Sequence, residues 1–264
     1  MTASSNSAHT RDARQQVIAD HVVERGSATA NELVELTGVS VMTVHRDIDE
    51  LVRRGLLRKF RGGVSAQPST VFESNAEYRL GAKIEQKRAI ARAALRYVEP
   101  GGSIMLDDST TALQLARLLP EAAPLTVVTN YRQTIDVVHD MDEIRLIALG
   151  GDYSRTHDSF VGLPCTEAIS SLTVDALFLS TSAMDAAMVY HQEQEIVMVK
   201  RAMMARAGFT VLLMDSSKMP RTALHQLAPL AGFDRLIIDG GVDAKLRTEL
   251  SEIVPVDVAE IDHN

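Results

Sequence analysis

The stretch that most constrains the fold is residues 29–63, TANELVELTGVSVMTVHRDIDELVRRGLLRKFRGG. Thr29 with Glu32 three residues later is a capping-box pattern, which predicts the start of a short helix. Gly38 ends that helix, and Ser40 is the expected N-cap of the next one. The stretch therefore predicts two helices joined by a tight turn.

The second helix is expected to run from Val41 to about Arg54, with Gly55 just past its end. One stripe is apolar at helical spacing and is expected to face the first helix: Val41, Val44, Ile48 and Leu51. The remaining polar or long side chains point outward: Met42, Thr43, His45, Arg46, Asp49 and Arg53. In a helix–turn–helix of this spacing, the second helix enters the DNA major groove.

The segment behind this helix is basic. Residues 53–61 hold five cations and no acidic residue: Arg53, Arg54, Arg58, Lys59 and Arg61. Gly62 and Gly63 then predict a turn, so the segment is expected to form a hairpin wing whose cations lie along DNA phosphates. A lone basic cluster is more often a solvated surface, but its position directly after a capped helix–turn–helix favours DNA binding. The predicted DNA contacts are Ser40, Met42, Thr43, His45, Arg46, Arg53, Arg58, Lys59 and Arg61, with Arg46 as a base reader.

These residues resemble the amino-terminal winged helix of the DeoR family of bacterial sugar-catabolism regulators. The matching positions are Ser40, Thr43, Arg46, Asp47, Leu51 and Arg61-Gly62-Gly63. The chain departs from the family pattern at His45, where arginine is usual. The resemblance implies a double-stranded operator as partner, and the departure leaves the sequence of that operator open.

Charge is divided unevenly along the 264 residues. Residues 1–68 carry a net charge of +1 and the remainder carries −9, so DNA contact is expected only at the amino-terminal end. The chain is 45% apolar, no run approaches the roughly 18 residues of a membrane span, and the polar first dozen residues do not resemble a signal peptide. The single cysteine, Cys165, excludes an internal disulfide. We expect a cytoplasmic protein with no membrane partner.

Three regions are predicted. Residues 10–66 form a winged helix–turn–helix domain, to which a helix from Arg14 to Arg25 contributes a buried face of Val17, Ile18, Val22 and Val23. Residues 67–82 read as a linker, in which Phe72, Tyr78 and Arg79 are expected to anchor to a neighbour. Residues 83–264 start with a helix from Lys83 to Val98 and continue as short apolar runs that alternate with helices: SIMLDD, LTVVTN, IRLIALGG, ALFLSTS, TVLLMDSSK and RLIIDGG. This alternation predicts a doubly wound α/β domain with a parallel sheet.

Polar residues follow each apolar run, at the edge of the sheet where ligands of parallel α/β folds bind. Helix caps explain about half of them, but in DDSTTALQLA three consecutive hydroxyl residues open a helix. Their hydroxyls and the helix N–H groups favour a phosphate, and Lys218 would add a cation. The chain contains neither GxGxxG nor GxxxxGK[ST], so dinucleotide and P-loop sites are not predicted.

The same segments resemble, in order, the carboxyl-terminal sensor domain of DeoR regulators, which has the fold of ribose-5-phosphate isomerase and senses phosphorylated sugars or their metabolites. The resemblance implies a phosphate loop of Asp107, Ser109, Thr110 and Thr111. It also implies a cleft lined by Thr129, Asn130, Gly151, Gly162, Lys200 and Lys218. The segment SAMDAAMVYHQEQE, residues 182–195, lacks a glycine that the family has there. The contacts to the sugar hydroxyls are therefore the least defined part of the expected site.

Two functions remain open from the sequence. The first is a transcription regulator, expected to be a repressor of a sugar-uptake or catabolic operon, acting as a homo-oligomer (dimer or tetramer) under control of a phosphorylated sugar. The second is a sugar-phosphate isomerase with a DNA-binding head, in which Glu193 or Glu195 would act with Lys200 or Lys218. Carboxylates at a helix start are more often solvated, so the regulator is preferred. No catalytic residue, metal ligand or cofactor is predicted.

Overall fold

A computed structural model of the chain describes residues 3–66 and 76–261. The chain divides into two compact units, residues 1–82 and 83–264. Part of the expected linker, including Phe72, lies outside the described residues. In the part of the chain that the structure describes, no helix has the length and apolar character needed to cross a bilayer.

The first unit is a winged helix. Its elements are α1 (Ala3–Arg25), β1 (Ser27–Ala28), α2 (Ala30–Thr37), α3 (Val41–Arg53), β2 (Leu57–Phe60), β3 (Gly63–Ala66) and α4 (Ala76–Gly81). The strands form an antiparallel sheet in the order β1-β3-β2, in which β2 and β3 are the wing. Helix α4 falls within the segment expected to be a linker, and its Tyr78 hydroxyl donates to Asp20 Oδ1 of α1 at 2.8 Å.

The helix boundaries in this unit follow from the predicted caps. Thr29 Oγ1 accepts from Glu32 N at 3.2 Å, and Thr29 N donates to Glu32 Oε2 at 2.6 Å, so the capping box is complete. Gly38 N donates to Val34 O at 2.9 Å at the end of α2. Ser40 Oγ then accepts from Thr43 N at 3.3 Å and starts α3. The predicted helix–turn–helix is confirmed.

Two predictions about the core of this unit are wrong. Val44, Ile48 and Leu51 are buried as expected, but Val41 is 48% exposed and Val17 is 45% exposed. Helical side chains lean toward the helix N-terminus, so Val41, in the first turn of α3, extends beyond the packed helices. In α1 the buried face includes polar Gln15, whose amide donates to the buried Asp47 carboxylate at 2.9 Å, and Val17 is left on the solvent side.

The second unit contains a seven-stranded sheet in the order β15-β14-β12-β9-β4-β5-β6, in which every neighbouring pair is parallel. Its strands are β4 (Ser103–Leu106), β5 (Leu125–Thr129), β6 (Ile144–Ala148), β9 (Val174–Leu179), β12 (Ala207–Met214), β14 (Arg235–Asp239) and β15 (Val256–Ala259). The helices are α5 (Ile84–Ala94), α6 (Thr110–Ala116), α7 (Arg132–Val138), α8 (Gly162–Ser170), α9 (Gln194–Met204) and α10 (Ala244–Ser251). A 3-10 turn at Leu95–Tyr97 completes the helix expected to end at Val98.

Apolar cores lie on both faces of this sheet. Leu106 and Phe178 belong to one cluster, and Leu177 and Leu179 belong to the other, because neighbouring strand residues point to opposite faces. The predicted doubly wound α/β domain is confirmed.

Two small antiparallel sheets were not predicted: a hairpin of β7 (Asp152–Ser154) and β8 (Ser159–Val161), and a group of β10 (Ala183–Met184), β11 (Met188–His191) and β13 (His225–Pro229). Both follow strands of the large sheet, so they lie where the site was expected.

Candidate functional site

The outward surface of α3 is built as the sequence predicts. Met42, His45 and Arg46 are exposed. Thr43 is half-buried, and its hydroxyl lies 2.9 Å from Ser40 Oγ. Ser40 and Thr43 therefore use part of their hydrogen-bonding capacity to start the helix. Arg46 is then the charged hydrogen-bond donor in the first two turns of α3.

The wing cations differ in how they are engaged. Lys59 Nζ pairs with the Asp49 carboxylate of α3 and lowers the pKa of that carboxyl. Arg53 lies 2.6 Å from Glu50, and Arg58 Nε donates to Ser65 Oγ at 3.0 Å. Among the described residues, Arg46 and Arg61 have no ion pair. These two arginines are the cations most available to DNA.

A buried charge cluster lies at the carboxyl end of β4 in the second unit. Lys200 Nζ of α9 is 2.5 Å from Asp107 Oδ2 and 2.9 Å from Asp108 Oδ1. Asp107 also accepts from the backbone N–H groups of Ser109 at 3.1 Å and Ser180 at 3.0 Å. These contacts join the ends of β4 and β9 to α9 and fix the loop that precedes α6.

The ammonium of Lys200 is held charged by its neighbours. Burial alone would lower its pKa, but the carboxylates of Asp107 and Asp108 outweigh burial and raise the pKa. Lys200 is only 2% exposed. The resemblance implied that Lys200 lines the cleft, yet its ammonium is enclosed by two protein carboxylates, because an unpaired buried ammonium would be too unfavourable. The ammonium therefore balances the negative charge of Asp107 and Asp108.

The hydroxyls of the DDSTT segment divide into two kinds. Ser109 Oγ accepts from Ala112 N at 3.1 Å, so this hydroxyl is the N-cap of α6. Thr110 and Thr111 are buried, and Thr111 Oγ1 has no hydrogen-bond partner in residues 3–66 and 76–261. A buried hydroxyl without a partner is unfavourable and is therefore uncommon in native structures.

The end of the neighbouring strand β5 shows the same feature. Thr129 Oγ1 accepts from Tyr131 N at 3.1 Å, and Asn130 Nδ2 donates to Phe160 O at 2.8 Å. Asn130 Oδ1, however, is buried without a hydrogen-bond partner among the residues described. Strands β4 and β5 are adjacent and parallel, so Thr111 and Asn130 follow neighbouring strand ends on one edge of the sheet.

Lys218 stands at the end of β12 with a partly accessible side chain. Its Nζ donates to Ser180 Oγ at 3.0 Å and lies 3.8 Å from Asp215 Oδ2. Burial would raise the pKa of Asp215, but the cations of Lys218 and Lys87 and the hydrogen bonds from Ser217 lower it. Lys218 thus reaches from β12 to the end of β9, beside the Asp107 cluster.

The two glycines expected to line the cleft have a packing explanation. A Cβ on Gly151 would lie 2.3 Å from Val161 O, and one on Gly162 would lie 2.4 Å from Asp152 Oδ2. Both also have positive φ, at 146° and 83°. Glycine at these positions permits the close approach of the β7–β8 hairpin.

That hairpin brings in residues that sequence reasoning missed. Ser159 Oγ donates to Asp108 Oδ2 at 3.1 Å, and His157 Nε2 lies 2.9 Å from Glu193 Oε2. The rings of His157 and His191 are 5.8 Å apart. No local signal identifies these residues, because the segment around His157 has no periodicity and its contacts lie far along the chain.

In the part of the chain that the structure describes, the remaining polar groups form no metal centre and no reactive thiol centre. No group of three or more His, Cys, Asp or Glu side chains in the described ranges is placed to hold a metal ion. Burial, and then the negative charge of Asp108, raise the pKa of the Cys165 thiol to about 11. The thiol is therefore protonated near neutral pH, and Cys165 packs in the core.

Comparison with known proteins finds a match for each of the two units. The DeoR-like helix-turn-helix domain matches residues 14–70, and the DeoR C terminal sensor domain matches residues 82–240. The HTH-type transcriptional regulator YgbI of Escherichia coli is 32% identical over 87% of this chain and 90% of its own length. The L-fucose operon activator of Haemophilus influenzae is 30% identical over 89% of this chain and 94% of its own. A putative aga operon transcriptional repressor of Escherichia coli O157:H7 is 29% identical over 89% and 88%.

Among solved structures, a D-ribose-5-phosphate isomerase in complex with phospho-erythronic acid overlaps 53% of this chain and 54% of its own, at 17% identity and a TM-score of 0.39. So partial an overlap does not bear on ligand or chemistry. The two domain matches, and relatives aligned over most of their length, establish that this chain belongs to the DeoR family of transcriptional regulators.

Proposed function

We propose that this protein represses a sugar-uptake or catabolic operon and releases its operator when a phosphorylated sugar binds the second unit. The observation that carries the effector site is the pair of unpartnered buried polar atoms, Thr111 Oγ1 and Asn130 Oδ1, at adjacent strand ends. A polar ligand that reaches both atoms would remove an unfavourable burial. Two of the relatives are named for sugar operons, the aga operon and the L-fucose operon, which supports the ligand class.

The charges at this edge favour a phosphate ester over a free sugar. Lys200 neutralises Asp107 and Asp108, so these carboxylates repel an anion less than their number suggests. Lys218, whose side chain is 23% exposed, supplies a cation beside Ser180. In this proposal the phosphate lies against Thr110, Thr111 and Lys218. A neutral sugar would only exchange its hydrogen bonds with water for similar ones with protein.

Thermal unfolding with matched ligand pairs tests this proposal. A ligand at about 100 times its dissociation constant stabilises the folded state by roughly 2.7 kcal/mol, which raises the melting temperature by several degrees. We expect such a shift from the phosphate ester of one pentose, hexose or polyol and none from the parent sugar. A shift from a free sugar without one from its phosphate would contradict the phosphate assignment.

A second function is favoured by one observation, the His157–Glu193 contact beside Asp108. An imidazole next to a carboxylate is suited to proton transfer, as an aldose–ketose isomerase requires. However, Lys200, one of the cations that such an enzyme would use, is committed to Asp107 and Asp108. We expect no isomerisation when pentose and hexose phosphates are incubated with the protein. Turnover that scales with protein concentration and is lost in Glu193→Gln would establish the enzyme instead.

DNA binding in this proposal uses two or more copies of the first unit on a repeated operator, because one helix–turn–helix reads only a few base pairs. Arg46 contacts base edges and the wing cations contact phosphates. His45, Arg53 and Arg58 are exposed and would add to the contacts with the DNA backbone.

The ion pairs of the wing cations predict how strongly each variant changes the salt dependence of DNA binding. Arg61→Ala should lower the salt dependence of DNA binding by about one unit of slope, because Arg61 is exposed and has no ion pair in the described part of the chain. Lys59→Ala should lower the slope less, since Lys59 already pairs with Asp49. Asp49→Asn, which frees Lys59, should raise the slope.

The measurement is a titration of a fluorescent duplex by the protein at a series of salt concentrations. Equal slopes for the Lys59 and Arg61 variants would contradict the ranking. Unchanged slopes for both would remove the wing from the DNA interface.

A further inference from the structure

The first turn of α3 exposes two large apolar side chains. Met42 is 65% exposed and Val41 is 48% exposed, although the next apolar residue of the helix, Val44, is fully buried. Ser40 caps the helix immediately before them. The core of the unit therefore leaves a large part of each side chain uncovered.

Their position on the helix aligns them with the predicted base reader. Met42 and Arg46 are four residues apart, so they occupy one face, about 6 Å from each other along the axis. Val41 is in the same relation to His45. The amino-terminal residues of a recognition helix are those that approach base edges in the major groove. An apolar pair at this place would be brought against DNA bases, not against the phosphates.

One base edge in the major groove matches an apolar side chain. Thymine carries a 5-methyl group there, whereas guanine, adenine and cytosine present hydrogen-bond donors and acceptors. A thioether or isopropyl group packed on that methyl removes apolar surface of both partners from water. The other bases would leave their polar edges facing Val41 or Met42 without a partner.

We propose that Val41 and Met42 read thymine methyl groups in the operator, within about two base pairs of a guanine contacted by Arg46, since one helical turn spans one to two base-pair steps of about 3.4 Å. This inference rests on the proposed DNA contact of α3. It assigns a defined base contact to Met42, which the sequence predicted only as a DNA contact, and adds Val41 to the base readers beside Arg46.

The test removes the methyl group alone. A duplex is first selected from a random pool by the full-length protein, and each thymine is then replaced singly by deoxyuridine, which keeps base pairing. We expect wild type to lose about fourfold in affinity at one or two positions near the contacted guanine, the factor for burying one methyl-sized group. The Val41→Ala, Met42→Ala double variant should bind the thymine duplex more weakly and should no longer distinguish thymine from deoxyuridine at those positions.

Leu36→Ala is the matched control, because Leu36 is 41% exposed on α2, outside the recognition helix. It should discriminate as wild type does. All three positions are exposed, and melting temperatures check that the variants are folded. If deoxyuridine has no effect anywhere in a specific duplex, or if the double variant discriminates like wild type, the methyl readout is wrong and the regulator proposal stands. If selection yields no specific duplex, both are wrong.

Discussion

Replacing Lys200 by methionine should lower the free energy of unfolding of the second unit by about 3–5 kcal/mol, the usual penalty for removing one partner of a buried ion pair. The side chain is buried and its ammonium contacts both Asp107 and Asp108. Methionine fills a similar volume but leaves two carboxylates in the protein interior without a cation. Urea unfolding followed by tyrosine fluorescence measures the effect, since four of the five tyrosines lie in residues 83–264.

Two further variants make this prediction specific. Lys245→Met, the same substitution at an exposed position of α10, should change the stability by no more than about 0.5 kcal/mol. Adding Asp107→Asn and Asp108→Asn to Lys200→Met should restore part of the loss, because no unpaired charge then remains buried. A stability equal to wild type for Lys200→Met alone would show that the cluster is not the buried ion pair described above.

Replacing Arg46 by alanine should weaken binding to the selected operator by about 1–3 kcal/mol and blur the base preference at one position. Arg46 is exposed in the second turn of α3, where a guanidinium reaches the O6 and N7 atoms of guanine. Arg46→Lys separates the two roles of this residue. Lysine keeps the charge but lacks the planar fork, so the salt slope should stay near wild type while the base preference falls.

Titrations against the selected duplex and four single-base variants at that position measure both quantities. If Arg46→Ala binds the operator as tightly and selectively as wild type, then α3 does not read bases through Arg46. A loss of affinity without a loss of selectivity would make Arg46 a phosphate contact.

Local signals in the sequence were sufficient for the helix–turn–helix and for most strands of the large sheet. Thr29 with Glu32 and Ser40 with Thr43 lie within one helical turn of each other, so their hydrogen bonds follow from neighbouring residues alone. The apolar composition of each strand run likewise predicts that the strand is buried, without information from distant residues. The exposure of Val41 was missed because periodicity gives the direction of a side chain, but not how far the covering helix extends.

The candidate site depends on contacts that sequence patterns do not record. Lys200 and Asp107 are 93 residues apart, and no sequence pattern indicated that the ammonium of Lys200, predicted to line the cleft, pairs with protein carboxylates. Ser159 reaches Asp108 only because the β7–β8 hairpin folds over the end of the sheet. Long-range pairing of this kind is set by the fold as a whole. The chain order of polar strand ends predicts where a site is, but not which of its residues are already satisfied by each other.

Thr110→Asp tests whether effector binding and operator binding are separable. Thr110 is buried in the first turn of α6, far in sequence from α3, so operator binding should be unchanged. The added carboxylate stands where the phosphate is proposed to lie and should exclude it by repulsion. A variant with a normal response to the effector would remove Thr110 from the site.

The most direct test of the account is an operator titration with and without the sugar phosphate that stabilises the wild-type protein in thermal unfolding. Because a coupled ligand shifts affinity by its differential binding to the two states, we expect the operator dissociation constant to rise by about 5- to 150-fold at saturation. The unphosphorylated sugar should leave that constant unchanged for the wild-type protein. The sugar phosphate should leave it unchanged for the Thr110→Asp variant. An operator affinity that stays the same while the sugar phosphate is demonstrably bound would contradict the claim that this site controls DNA binding.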